Sequence, residues 1–278
     1  MSRFFSSLVF LALAFALFWL AHRVRAWRIG KQCGARLHEQ ICLRNNSALA
    51  LRLSSFALAC ALGLSGALQA PSMGFWRDLA AFSLTGLSFL VLVTLAFMLL
   101  DRLILPRLDN TKAILEGNMA VGPAEAGGGL ATGLILRAAF SGRGSYLAGV
   151  VFFLLAQVGL TLFFTFLERL SPYDDQEEIA RGNTALGLHL GSMLLALGII
   201  MASAVHGDFS NWGSDLTTFA WESFRGVALL LAGSWLADRL FLGGFSLGRQ
   251  IASERNTAAV ISCMGVKLGL ALLIASTA

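Results

Sequence analysis

The sequence predicts an all-α, polytopic integral membrane protein with eight transmembrane helices arranged as four parallel-oriented helical hairpins. Three observations carry that expectation. Hydrophobic residues make up 56% of the 278 positions and charged residues only 13%, against roughly 25% charged in soluble proteins, and the mean hydropathy is +0.72. The apolar residues gather into runs of about the 20 residues that a helix needs to cross a hydrocarbon core. A short polar signature also recurs along the chain and divides it into four similar units.

In order, the runs are Phe4–Ala21, Ser47–Ala70, Leu79–Leu100, Met119–Phe140, Tyr146–Leu167, Thr184–Val205, Phe224–Phe241 and Thr257–Ala275. They are apolar on all sides, whereas strands of a membrane barrel would alternate strictly. The first run follows Arg3 but exceeds a signal-peptide core and ends in "AHRVRAW", without a small-residue cleavage pattern, so it is expected to be retained. The longest gap, Ala21 to Ser47, is too short for a separate soluble domain of ordinary size. The chain is therefore expected to form two membrane halves, 1–140 and 141–278, of two units each.

A net charge of +5 raises the question of nucleic acid, but its distribution answers in terms of the membrane. The loops after runs one, three, five and seven carry fourteen Lys/Arg residues (Arg23, Arg25, Arg28, Lys31, Arg36, Arg44, Arg102, Arg107, Lys112, Arg169, Arg181, Arg239, Arg249 and Arg255). The other side carries four: Arg3, Arg77, Arg137 and Arg143. Positive residues favour the cytoplasmic side, which predicts periplasmic termini in a multi-pass bacterial inner-membrane protein. Expected partners are the bilayer, anionic lipids at the cytoplasmic face, and either a second copy or another membrane protein; no nucleic acid and no cofactor are expected.

Each even-numbered run opens on Asn-x-Ala: Asn46, Asn118, Asn183 and Asn256, at separations of 72, 65 and 73 residues. Each preceding run ends in a polar pair, His22-Arg23, Asp101-Arg102, Glu168-Arg169 or Asp238-Arg239. Because each unit crosses twice, all four share one orientation, and any symmetry axis follows the membrane normal. An asparagine at such a helix start is expected to cap the unpaired backbone N–H groups, which are costlier to leave bare near hydrocarbon. The alternative is that four positive helix ends converge on an anion. Counted from each Asn, positions +2, +9 and +13 are small: Ala48, Ser55, Ala59; Ala120, Gly127, Ala131; Ala185, Ser192, Ala196; Ala258, Gly265, Gly269. At about 100° per residue they form one stripe, suited to close helix packing. Asp101, Glu168 and Asp238 oppose the helix dipole at their positions and are expected to have basic or cap-region partners.

Charged groups at membrane depth are functional candidates by default. Arg52 and His189 stand on the small-residue side of their helices, Glu125 and Lys267 on the opposite side. Around Glu125, "VGPAEAGGGL" is expected either to break the helix and expose carbonyls to a cavity, or to bend it while Glu125 pairs with Arg52 or Lys267. Cys33, His38 and Cys42 match no zinc spacing, and free thiols are expected. Gly127-Gly128-Gly129 lacks the Lys-Ser/Thr of a phosphate loop. No nucleophile with a base and orienter is visible.

"LERLSPYDDQEEIARGNTALGLHLGS" (167–192), "ADRL" with "QIASERNTAAVIS", and "LDRLILP" with "ILEGNMAV" resemble the YjfL-like bacterial inner-membrane family, catalogued as a domain of unknown function (DUF350). The resemblance is strong after Leu79 and weak before it, where His22 replaces the acid and "RNNSALAL" holds the cap. It implies an inner-membrane location, an even number of helices and, for some members, a link to envelope-stress genes. The expected function is a non-enzymatic membrane scaffold or envelope-stress-associated protein; the alternative is a channel or transporter using the polar groups around Glu125.

Overall fold

A computed structural model describes residues 3–33, 36–69, 72–171 and 173–277, without the side chains of Arg3, Phe4, Gln32 and Cys33. The expected run end at Ala70 and the Cys33 thiol lie outside what is described. Among the described residues the regular structure is helical throughout: α1 (Arg3–Cys33), a π-helical turn (Glu39–Leu43), α2 (Ser47–Ala67), α3 (Phe75–Leu103), α4 (Asn110–Leu115), α5 (Val121–Ser141), α6 (Tyr146–Arg169), α7 (Asp175–Ala180), α8 (Thr184–Val205), α9 (Trp212–Phe241), α10 (Leu247–Ala252) and α11 (Thr257–Ala275).

Six helices, α1, α2, α3, α6, α8 and α11, are long and apolar enough to cross a membrane. The other two long helices, α5 and α9, fall short for different reasons. Pro123, Glu125, Arg137 and a run of glycines dilute the apolar content of α5, while α9 carries Asp215, Glu222, Arg225, Asp238 and Arg239. The first helix runs to Cys33 rather than ending near Ala21, because "AHRVRAWRI" has neither proline nor glycine before Gly30 to stop it. Arg23, Arg25, Arg28 and Lys31 are thereby helical residues and not loop residues.

Each unit is a long helix, a short helical connector and a second long helix. The connectors α4, α7 and α10 start on Asp109, Asp174 and Ser246, whose side chains accept from backbone N–H groups of the first turn. Before every Asn stands a residue with left-handed backbone: Asn45 (φ 51°), Gly117 (φ 85°), Gly182 (φ 78°) and Arg255 (φ 48°). Glycine adopts this conformation freely and other residues at a cost, so the two central units are built without strain where the two outer ones carry some.

The second long helices pack side by side in the order α2, α5, α8, α11, with α3 against α2 and α5, α6 against α5 and α8, and α9 against α8 and α11. Glycines set the closeness of the row. A methyl group added to Gly122 would lie 2.9 Å from the Ala48 Cα, and one on Gly133 2.6 Å from the Ala59 Cα. Added to Gly187 or Gly198 it would overlap Ala120 or Ala131. The paired numbers rise together, so α2, α5 and α8 run parallel. In each of these contacts, the +2/+9/+13 stripe of one unit meets small residues on the opposite side of the next unit's helix. The interfaces are therefore head-to-tail, and no packed interface joins α11 back to α2 among the described residues. The row is open.

Candidate functional site

The head-to-tail order explains which polar groups meet. Arg52 lies on the forward side of α2 and Glu125 on the backward side of α5, so stacking unit one on unit two brings them together: Arg52 Nε is 2.9 Å from Glu125 Oε2. The same guanidinium donates to Asp101 Oδ2 at 2.6 Å and to Thr111 Oγ1 at 3.2 Å. Arg25 of α1 completes the group, its guanidinium lying 4.6 Å and 4.7 Å from the ring centres of Phe56 and Phe97. Two cations and two carboxylates thus share one site, with Arg52 and the Glu125 carboxylate buried and Arg25 and Asp101 half-buried. The void that Asp101 and Glu125 line is only about 10 Å³, near the lower limit for a single water.

A second ion pair at membrane depth lies within unit four, between α9 and α11. Lys267, on the backward side of α11 and 2% exposed, has its Nζ 3.5 Å from Asp238 Oδ2. His189 stands on α8, which packs against α11. Between units two and three the deeper contact is hydrogen-bonded: Glu168 Oε1 accepts from Gln176 Nε2 at 2.6 Å and Thr132 Oγ1 approaches Gln157 Oε1 at 3.4 Å, while an exposed ion pair joins Arg107 to Asp174 at 2.5 Å. Arg52, Asp101 and Glu125 come together across units one and two, and Lys267 and Asp238 come together within unit four; the two sets do not merge.

Asn46, Asn183 and Asn256 cap α2, α8 and α11, accepting from Leu49, Leu186 and Ala259 N–H at 3.0, 3.2 and 3.1 Å. Asn118 departs from the expectation. Its helix starts at Val121, and Asn118 Oδ1 instead accepts from Ala120 N–H at 2.9 Å. Pro123 is the reason: with a helix beginning at Met119, its ring would collide with the Met119 carbonyl four residues back. From Val121 onward α5 is continuous through Glu125 and the three glycines, so the expected break with exposed carbonyls is not there. Gly127 and Gly129 serve close approach, to the Gly191 carbonyl and to Phe97 and Ser55.

The amide NH2 of each asparagine does a second job. Asn46 Nδ2 donates to Ile114 O at 2.8 Å, Asn118 Nδ2 to Ile179 O at 2.9 Å and Asn183 Nδ2 to Ile251 O at 2.9 Å. In each case the acceptor is the connector of the following unit. Asn256, in the last unit, turns to its own Gln250 Oε1 at 2.8 Å. Asn46, Asn118 and Asn183 are latches between units, Asn46, Asn183 and Asn256 are caps, and the amide donors of all four are used within the protein.

At the other end of the helices lies an open groove of about 930 Å³ between α1, α3, the α5–α6 turn and the α8–α9 loop. Its acids tie down loops: Asp208 accepts from Arg143 N–H at 2.6 Å and Asp78 from Met73 N–H at 2.7 Å.

Comparison with known sequences also returns a duplication. The family described as Domain of Unknown Function (DUF350) matches residues 1–140 and again 143–278. The chain belongs to the DUF350 family. Each family copy contains one ion-paired group, Arg52–Asp101–Glu125 in the first and Asp238–Lys267 in the second. The chain is similar to a UPF0719 transmembrane protein of Aquifex aeolicus (strain VF5), 25% identical over 200 residues, which are 70% of this chain and 72% of the relative. It is also similar to the UPF0719 transmembrane protein YshE of Bacillus subtilis (strain 168), 24% identical over 125 residues, 45% of this chain and 88% of the relative. The latter is thus about half as long as this chain. No solved structure matches.

Arg25 is the site residue that the sequence reading missed, having placed it in a loop. Its signal is the spacing Leu17, Ala21, Arg25, Ile29, one face of a helix continued past Ala21, of which Leu17, Ala21 and Ile29 are buried.

Proposed function

We propose that this DUF350 protein is a non-enzymatic inner-membrane scaffold, crossing the bilayer eight times as four hairpins with both termini periplasmic. The observation that carries the scaffold reading is that Arg52, Asp101 and Glu125 are engaged with one another beside a void of only about 10 Å³, and that Lys267 is paired with Asp238 elsewhere. An ion pathway needs a hydrated route, and a closed ion-pair cluster instead favours a fixed packing of units. Membrane crossing by α9 is supported by Trp212 and Trp235, both exposed and about 35 Å apart along the axis at 1.5 Å per residue, as expected of interfacial belts. Crossing by α5 is supported by its parallel packing between α2 and α8, which screens Glu125 from lipid. At the basic end, Arg239 lies over Trp235 at 4.1 Å and Lys31 over Trp27 at 5.1 Å, an arrangement suited to anionic headgroups. The envelope-stress link rests on the family resemblance and is tested by the envelope phenotype of a deletion strain.

A transport reading is favoured by one observation: neither Glu125 oxygen has a well-directed hydrogen bond, although both are buried. Flux measurements in reconstituted liposomes decide between the two. The scaffold reading predicts proton and cation leak equal to that of protein-free vesicles; pH-dependent flux abolished by Glu125→Gln would replace it with the transport reading.

A further inference from the structure

We infer that copies of this protein stack head-to-tail in the membrane, the α11 face of one copy docking on the α2 face of the next. The three internal interfaces show what each face takes. The +2/+9/+13 stripe is buried on α2, α5 and α8 (Ala48, Ala59, Ala120, Ala131, Ala185 and Ala196 are each 0% exposed) because the next unit covers it. On α11 the same positions, Ala258, Gly265 and Gly269, are uncovered, and a methyl group at either glycine would meet nothing within 4 Å. Glycines on a lipid-facing surface gain no packing, whereas glycines on a helix-docking surface do.

The receiving face is open at the other end of the row. On α8, the residues that take the stripe of α5 are Gly187, Gly191 and Gly198, at positions +4, +8 and +15 from Asn183. The same positions on α2 are Ala50, Ser54 and Ala61, all small, with Ser54 exposed and the two alanines half-buried. Because the family matches the chain twice, α5 to α8 is the junction from the last helix of one family copy to the second long helix of the next. A contact from α11 to the α2 of another molecule is that same junction made between chains. In a relative of about half this length, the junction can form only between molecules. The latch repeats as well: Asn256 sits at the open end with its amide on its own Gln250, and the π-helical turn beside α2 presents the position equivalent to the Ile251 acceptor, Ile41. An interface of this kind is heterologous, closing into a ring or extending as a row according to the rotation between copies.

As an account of what the scaffold assembles, this rests on the function proposed above, but cross-linking and flux fail independently. The internal contact of Gly127 with Gly191 maps onto Gly265 with Ser54 of the neighbouring copy. In a chain whose native cysteines are replaced by serine or alanine, Gly265→Cys and Ser54→Cys variants are co-expressed and oxidised in native membranes. The expected result is a disulfide-linked dimer from the mixture and none from either variant alone. A Gly265→Leu chain, whose side chain enters open space in the monomer, is expected to fold and to run as a monomer where the parent runs as an oligomer. A dimer from Gly265→Cys alone would mean a symmetric α11–α11 contact and overturn the proposal, as would a parent that is monomeric in native membranes and gives no mixed cross-link.

Discussion

Gly127 and Gly265 occupy the same +9 position in units two and four, yet the open row gives alanine opposite effects at the two. On α5, the new methyl group would collide with the Gly191 carbonyl of α8, with the Gly191 Cα close behind. Both obstacles are backbone and cannot swing aside, so α5 and α8 must separate. Overpacking of a tight core costs about 1–3 kcal/mol, and the helix-propensity gain of Gly→Ala returns about 1 kcal/mol, leaving Gly127→Ala destabilised by up to about 2 kcal/mol. On α11 the space is empty, so Gly265→Ala keeps the whole propensity gain and is stabilised by about 1 kcal/mol. Reversible denaturant titration in detergent, at a protein concentration where the chain is monomeric, reads both. Equal effects of the same sign at the two positions would refute the open, head-to-tail row.

Three further outcomes follow from local geometry. Asn183→Ala should cost more than an ordinary cap, about 0.5–2 kcal/mol, because it also removes the donors to Ile251 O and Glu178 Oε2; Asn183→Asp should restore only the cap, and full restoration of thermal stability by Asp would argue against the latch. Burial raises the Asp175 carboxyl to about 6, so the folded chain keeps a proton that the unfolded chain has released. That contribution to stability is present at low pH and lost as pH rises through about 6; Asp175→Asn should flatten the melting temperature over that interval, and an unchanged slope would exclude Asp175 as its source. Single cysteines at Asp174 and Asn211 should label from opposite sides of intact cells, position 174 from the cytoplasm, and labelling of 174 by an impermeant external reagent would reverse the proposed orientation.

Much of this arrangement was legible in the sequence because the repeat is physical. Asn-x-Ala marks where backbone donors need an acceptor, and the +2/+9/+13 stripe marks where helices touch. The assignment of Arg52 to one side and Glu125 to the other already contained their pairing, since in a head-to-tail row opposite sides face each other. What remained hidden required knowing the neighbours. The linkers look like polar loops, yet Asp109, Asp174 and Ser246 each stand five residues before a buried isoleucine, Ile114, Ile179 or Ile251, a spacing that short amphipathic helices produce. The glycines around Glu125 read as a breaker in isolation, but helices pressed on both sides hold α5 regular where propensity alone would not. The delayed start at Val121 needed the Pro123 ring to be set against the carbonyl four residues earlier. Whether four parallel units close into a ring or leave two ends is decided by the rotation at each interface, which composition does not encode.

The claim on which the rest depends is that the forward face of one unit holds the backward face of the next, and at the first interface the coupling between Arg52 and Glu125 measures it. In a double-mutant cycle of Arg52→Gln and Glu125→Gln, each single variant strands a charge, while the double variant removes the pair. With Arg52 Nε 2.9 Å from Glu125 Oε2, unfolding free energies should show a favourable coupling of about 1–3 kcal/mol, moderated by the bond that Arg52 keeps to Asp101. Additive effects, with no coupling between the two positions, would contradict the account.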